Sequence, residues 1–317
     1  MTALLRSLLT GVTFLGLGFF EVGAAEPSLN ANSTIRGNTT DSEIVIRTTA
    51  RLAGAIDSLT WRGREFINST DHGRQLQSAS NFDAGSPITA ETFNPTEAGS
   101  RRDGAGQTST SQLLHLMTTE HQLQSTSRMA FWLAPGEKSD GNPAKNTQLL
   151  SNHLLTKRVR IGLAEMSNVI QYDVTFSIPI GEHHKVAVFE ALTGYMPADF
   201  QIFKKYDRST GQLEPLDDGP GEQNFPVVIS TADGAYAMGI YTSEGPRAGM
   251  ADAGYGRFRF PVEKVVKWNC VFRVNSNFEI EPGEYSFRMF VTVGDLTMVN
   301  DSMRKLHREF PVRSNAL

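Results

Sequence analysis

Groups able to move protons or grip hydroxyls gather in three stretches of this 317-residue chain. The densest runs from Asp71 to Gly106. It carries Asp71-His72-Gly73-Arg74 and then Asn94-Pro95-Thr96-Glu97-Ala98-Gly99-Ser100-Arg101-Arg102-Asp103. Arg74, Arg101 and Arg102 present rigid planar forks that match carboxylates or vicinal hydroxyls. Glu97 and Asp103 suit general acid or base work, and His72 and Asn94 add polar groups for holding a substrate. Binding residues favour loops mounted on a rigid scaffold, which is what this polar stretch between strands predicts. The second stretch is Phe189-Glu190-Ala191-Leu192-Thr193-Gly194-Tyr195. Glu190 is a charge in an otherwise apolar strand, so it must be paired or face a cleft. Tyr195 and Tyr206 offer rings to stack on a sugar face and hydroxyls to donate. The third is Gly219-Pro220-Gly221-Glu222-Gln223, where Glu222 is a loop-borne acid.

The histidines constrain the chemistry. His115 and His121 share parity if Leu113 to Leu123 is one strand, and six residues at about 3.3 Å each put them near 20 Å apart. They cannot share a metal, though either can line a cleft floor. His183 and His184 are adjacent at a strand start and point to opposite faces. There is no His-Glu-x-x-His or paired-Cys pattern, so no metal site is predicted, and no phosphate loop or dinucleotide fingerprint calls for a cofactor. The pair Asp217-Asp218 is read as solvated. Cys270, the single cysteine, sits in the strand-like run Lys267-Trp268-Asn269-Cys270 and is expected to be a buried structural thiol.

The elements that must position these groups are strands. Alternating apolar and polar residues mark Ala55–Trp61, Lys157–Leu163, Val169–Ile178 and Lys185–Leu192. Asp233-Gly234 reads as the turn of a hairpin joining Val227–Ser230 to Tyr236–Tyr241. Lys264–Val274 and Tyr285–Val293 add two long strands. Val299, Met303, Leu306 and Phe310 recur at helical spacing, with Asp295 or Thr297 as cap and Pro311 as stop. Many strands with Gly/Asn/Asp turns, and one terminal helix, predict an all-β fold: a large antiparallel sandwich with a short C-terminal helix.

Arg6, the apolar run Leu8 to Phe20 and the small residues Val22 to Ala25 follow the order of a signal peptide, residues 1–25. The apolar core is short of the roughly 20 residues a membrane span needs. Residues 26–42, rich in Asn, Ser and Thr, are expected to be a flexible leader before a single domain, 43–317. The expected location is therefore the periplasm or the exterior. A formal net charge of −4, with no Lys/Arg block, argues against nucleic acid.

The run Ile56-Asp57-Ser58-Leu59-Thr60-Trp61-Arg62-Gly63-Arg64-Glu65-Phe66-Ile67-Asn68, then Asp71-His72-Gly73-Arg74, resembles the start of galactose-mutarotase-like proteins. Pro282-Gly283-Glu284-Tyr285 resembles the turn before their last long strand. The resemblance implies a β-supersandwich across nearly the whole mature chain and a carbohydrate partner, mono- or polysaccharide. The superfamily holds epimerases, glycosidase and polysaccharide-lyase domains, and modules without activity. Its epimerases use a His acid and a Glu base; by that analogy Glu190 or Glu222 takes the base and His115, His121 or His72 the acid. The expected catalytic set is Glu190, Glu97, His121 and Glu222. The expected binding set is His72, Arg74, Asn94, Arg101, Arg102, Asp103 and Tyr195. Epimerase, glycoside hydrolase and lyase chemistry stay open beside a non-catalytic glycan-binding or envelope role.

Overall fold

The computed structural model describes residues 29–84, 90–245, 250, 253–274 and 279–312. The expected signal peptide lies outside them. Among the described residues nineteen strands are hydrogen-bonded into one continuous network, and, apart from Pro95–Thr96 and the short Arg64–Glu65 paired to Ile56–Trp61, its pairings divide it into two antiparallel layers. The first layer runs, edge to edge, Ser33–Asn38, Glu43–Thr48, Ile56–Trp61, Leu76–Phe82, Ala187–Pro197, Val265–Val274, Gly254–Phe260 and Gly221–Gln223. The second runs Gln112–Thr118, Gln122–Phe131, Leu150–Leu163, Met166–Ile178, Gly283–Gly294, Ala237–Thr242, Val227–Ser230, Ile202–Asp207 and Gln212–Pro215. The short strand Pro95–Thr96 pairs with both Leu76–Phe82 and Gln122–Phe131 and stitches the layers together at one side.

One core fills the space between the layers. Ile46, Leu59, Phe189 and Trp268 enter it from the first, Tyr172, Val174, Met289 and Val291 from the second. Period-two alternation puts them there: in Leu150–Leu163 the odd positions Leu155, Val159 and Ile161 are buried while Arg158 and Arg160 are exposed. The helix Leu296–Glu309 covers the outer face of the second layer, packing Val299, Met303 and Leu306 on Val228, Tyr241 and Phe290. Asp295 caps it by accepting from the Met298 N–H at 2.9 Å.

Three expectations are corrected. Ser33–Asn38, placed in a flexible leader, is a paired strand, because Ile35 is 1% exposed in the common core. Leu113 to Leu123 is a hairpin, since Gln112–Thr118 and Gln122–Phe131 pair antiparallel. His115 and His121 therefore do not share a strand. Tyr206 is fully buried beside the helix and offers no ring to a ligand.

Gly194 shows how tight the first layer is. It faces Trp268 across the ladder, and a Cβ added there would stand 2.4 Å from the Trp268 ring. The ring is fully buried and cannot give. Gly194→Ala is expected to lose about 1–3 kcal/mol of stability through overpacking, read as a lower urea midpoint; an unchanged midpoint would contradict this packing.

Candidate functional site

Two antiparallel strands, Ala187–Pro197 and Val265–Val274, build the floor of a cleft. Tyr195 stands opposite Lys267 in their register, and the ladder slips between Glu190 and Leu192. That bulge matters. Leu192 and Met196 point into the core, so Thr193 and Tyr195 point away from it. A regular strand would send Glu190 to the other face, and the extra residue restores it to theirs. Glu190 then accepts from Thr193 Oγ1 at 2.8 Å and pairs with Lys267 Nζ at 3.2 Å. Lys267 Nζ also lies 5.2 Å from the Tyr195 ring centroid.

The opposite wall comes from the long polar stretch. Glu91, Asn94 and Thr96 line an inner cavity of about 70 Å³ together with Glu190, Tyr195 and Lys267. An outer bay of about 240 Å³ adds Asp71, Arg74, Phe260 and Glu263. Gly73, Trp132 and Tyr195 line both spaces, so the two are one cleft. Trp132 is held at this boundary by its own N–H, which donates to Asn94 O, and by its carbonyl, which accepts from Arg101 N. Gly73 lets the indole come this close, since a Cβ there would lie 2.8 Å from the ring.

The inner cavity sets the charges of its two carboxyls, Glu91 and Glu190, apart. Burial is the largest influence on Glu91; with Glu190 nearby it lifts the pKa above the usual 4.5 against the pull of Lys267. Glu91 keeps exposed surface as a residue while it lines the inner cavity. Burial also pushes Glu190 up, but Lys267, Thr193 and Asn269 outweigh it and hold Glu190 below 4.5. Burial works against the Lys267 ammonium; Glu190 and Tyr195 more than offset it and raise its pKa well above the ordinary value. The Tyr195 phenol is pushed up, chiefly by burial. At neutral pH the floor therefore holds an ammonium against a carboxylate.

Of the residues singled out in the sequence, Glu190, Tyr195, Arg74 and Asn94 meet here. Arg74 is braced by Asp71 at 3.2 Å. The rest of the set disperses. Glu97 is 2% exposed and ion-paired with Lys157, itself 1% exposed, so it cannot serve as an acid on a substrate. Glu222 is forked by Arg273 at 2.6 and 3.2 Å on the edge of the first layer. His121 is exposed and spans to Arg36 O at 2.7 Å. His72 is buried, with Nδ1 2.7 Å from Gly104 O and Nε2 2.8 Å from Arg51 O. Asp103 accepts from the N–H groups of Ser100 and Thr110 at 2.7 and 2.9 Å and caps its own loop. Arg101 and Arg102 share Glu137 at 3.2 and 3.1 Å. These loop residues were expected to hold substrate; none of His72, Arg101, Arg102 and Asp103 lines the cleft. They instead fix the backbone that holds Trp132. Asp217 and Asp218 are taken up by Arg257 and Arg259. Cys270 is buried, and burial pushes its thiol pKa far up.

Sequence reasoning missed Glu91, Trp132 and Lys267. Lys267 carried a usable signal: a charge in a strand otherwise fated for burial, the same signal that picked out Glu190. Glu91 and Trp132 carried none, because only the folding of distant loops brings them to the cleft. Among the described residues two groups could hold a metal ion, His153/Glu182/His184 and the exposed His183/Glu279/Glu281, and neither lines the cleft.

No protein-family model matches the chain, and no curated protein sequence matches it. Solved structures do. A glycosyl hydrolase family 38 protein from Enterococcus faecalis overlaps 88% of this chain and 33% of its own, at 11% identity and TM-score 0.47. Slr1438 from Synechocystis sp. PCC 6803 overlaps 83% and 96%, at 12% and 0.45. YeaD from Salmonella typhimurium, named as a mutarotase, overlaps 83% and 94%, at 8% and 0.42. Overlap this loose carries nothing about activity, which rests on the cleft alone.

Proposed function

We propose that this is an exported, carbohydrate-active protein that binds a sugar or polysaccharide in the cleft between Trp132 and Tyr195 and acts on it by acid–base chemistry at the anomeric centre. One observation carries this reading: Glu91 and Glu190 line the same cavity with pKa values displaced in opposite directions. Two carboxyls separated in this way divide into an acid and a base. Glu91, which keeps its proton longer, donates it to a glycosidic or ring oxygen. Glu190, ionised beside Lys267, receives a proton or faces the developing positive charge. Trp132 and Tyr195 supply apolar faces for the C–H side of a sugar ring. Asn94, Arg74 and Lys267 supply donors for hydroxyls or a uronate carboxylate. The order Arg6, Leu8 to Phe20, Val22 to Ala25 supports export. Among the described residues no helix is long and apolar enough to cross a membrane.

The test is a glycan and polysaccharide screen, for binding and for turnover, on the mature chain beside Trp132→Ala. Trp132→Ala is expected to weaken binding about tenfold, equivalent to about 1.4 kcal/mol. A panel spanning neutral and uronate-containing glycans that binds neither protein would overturn the proposal.

A further inference from the structure

Away from the cleft, His153, Glu182 and His184 bring one ligand atom each within 4.8 Å of the others. His153 comes from the strand Leu150–Leu163, whose alternation turns it inward. Glu182 and His184 come from the turn between Met166–Ile178 and Ala187–Pro197. His153 Nε2 stands 2.8 Å from Glu182 Oε2, and His184 Nε2 stands 3.5 Å from the same oxygen. Tetrahedral Zn²⁺ with bonds of about 2.0–2.2 Å sets its ligand atoms about 3.3–3.5 Å apart. The two distances bracket that spacing.

The surroundings prepare His184 to ligate. Asp83 Oδ1 accepts the backbone N–H groups of Lys185 and Val186 at 2.8 and 3.2 Å. Its Oδ2 lies 2.9 Å from His184 Nδ1, so Nδ1 carries a hydrogen and Nε2 is the nitrogen turned toward Glu182. This is the carboxylate–histidine arrangement that fixes a metal-ligating tautomer. The His184 side chain is 7% exposed, and its Nε2 has Glu182 Oε2 at 3.5 Å as its facing group. That pairing calls for a cation between the two atoms, a proton or a metal ion. Phe82 stacks on His184 at 4.3 Å, and Phe93 lies 5.3 Å from it, giving the group a dry wall. Glu182 is 30% exposed and leaves one side reachable from water.

We propose that His153 Nε2, His184 Nε2 and the Glu182 carboxylate bind a first-row divalent cation, Zn²⁺ foremost, with a further position open to water. Two imidazoles and one carboxylate suit Zn²⁺ and its neighbours and disfavour Ca²⁺ and Mg²⁺, which take oxygen ligands. The ion ties the start of Leu150–Leu163 in the second layer to the turn that leads into Ala187–Pro197 in the first. Through Phe93 it braces the segment that carries Glu91 and Asn94. Asp83 is a positioning residue.

The experiment titrates Zn²⁺, and separately Mg²⁺, into metal-stripped full-length mature chain, reading bound ion per chain and melting temperature. One Zn²⁺ per chain is expected, with a rise of roughly 4–8 °C at a hundredfold excess over its Kd, and no such rise with Mg²⁺. Glu182→Gln, at a half-exposed position that should fold normally, is expected to abolish stoichiometric binding. Asp83→Asn is expected to weaken it about 10–100-fold. Zn²⁺ that binds neither wild type nor variant would overturn the proposal and leave a proton as the cation between His184 and Glu182. Equal Zn²⁺ binding by wild type and Glu182→Gln would also overturn it. Glycan binding in the cleft is a separate readout, so either proposal can fail alone.

Discussion

Lys157→Met is expected to destabilise the protein by about 3–5 kcal/mol, the cost of leaving one charge of a buried pair without its partner. Lys157 and Glu97 are 1% and 2% exposed and meet between the layers. Glu97 also accepts from the Ser78 N–H at 3.1 Å, and Lys157 Nζ lies 3.4 Å from Gly54 O. With the ammonium gone, the carboxylate must either stay charged in a dry site or take up a proton, and both cost stability. The double change Lys157→Met, Glu97→Gln removes the charge and keeps an acceptor for Ser78, so most of the loss should return. Urea denaturation measures both, with the midpoint moving at constant slope. A single variant that loses less than about 1 kcal/mol would show that water reaches the pair.

The second large effect concerns the cleft. Glu91→Gln is expected to lower kcat about 10²–10⁴-fold, the range associated with one positioned general acid. Its pH profile carries the sign. Glu190 must be ionised and has a lowered pKa, so activity falls as pH drops through a value below 4.5. Glu91 must be protonated and has a raised pKa, so activity falls as pH rises through a value above 4.5. The optimum therefore lies between the two. Lys267 lowers the pKa of both carboxyls, so Lys267→Met should move both limbs of the profile toward higher pH, while Glu91→Gln should erase the alkaline limb. Profiles of kcat/KM on a substrate from the glycan screen decide this. Limbs that stay in place in Lys267→Met would remove Glu91 and Glu190 from the chemistry.

The two cases show what a strand sequence reveals and what it conceals. Glu190 and Lys267 were chargeable residues in apolar runs, and such residues must be paired or face a cleft. That rule is local, and it correctly marked Glu190. It marks Lys157 and His153 equally, because both sit on the inward face of Leu150–Leu163. Yet one of these four ends in a core ion pair, one in a histidine–carboxylate cluster and two on the cleft floor. The difference lies in which strand comes alongside, and that register is a long-range property.

By itself the sequence determined most element types, the antiparallel sandwich and the C-terminal helix, with Asp295 or Thr297 as its cap. Alternation, turn residues and caps act over a few residues and survive without context. It also singled out the stretch after Asp71, from which Arg74 and Asn94 come to line the cleft. Only the tertiary structure decided that Glu97 is buried in a core ion pair while Glu91, six positions earlier, lines the cleft. Glu97 follows the strand Pro95–Thr96, which is wedged between both layers, and its carboxyl is drawn to Lys157. Glu91 precedes that strand and reaches the inner cavity of the cleft. Trp132 and the Glu182 turn were likewise set by loops meeting across the fold, where contacts between residues far apart in the chain choose the partner.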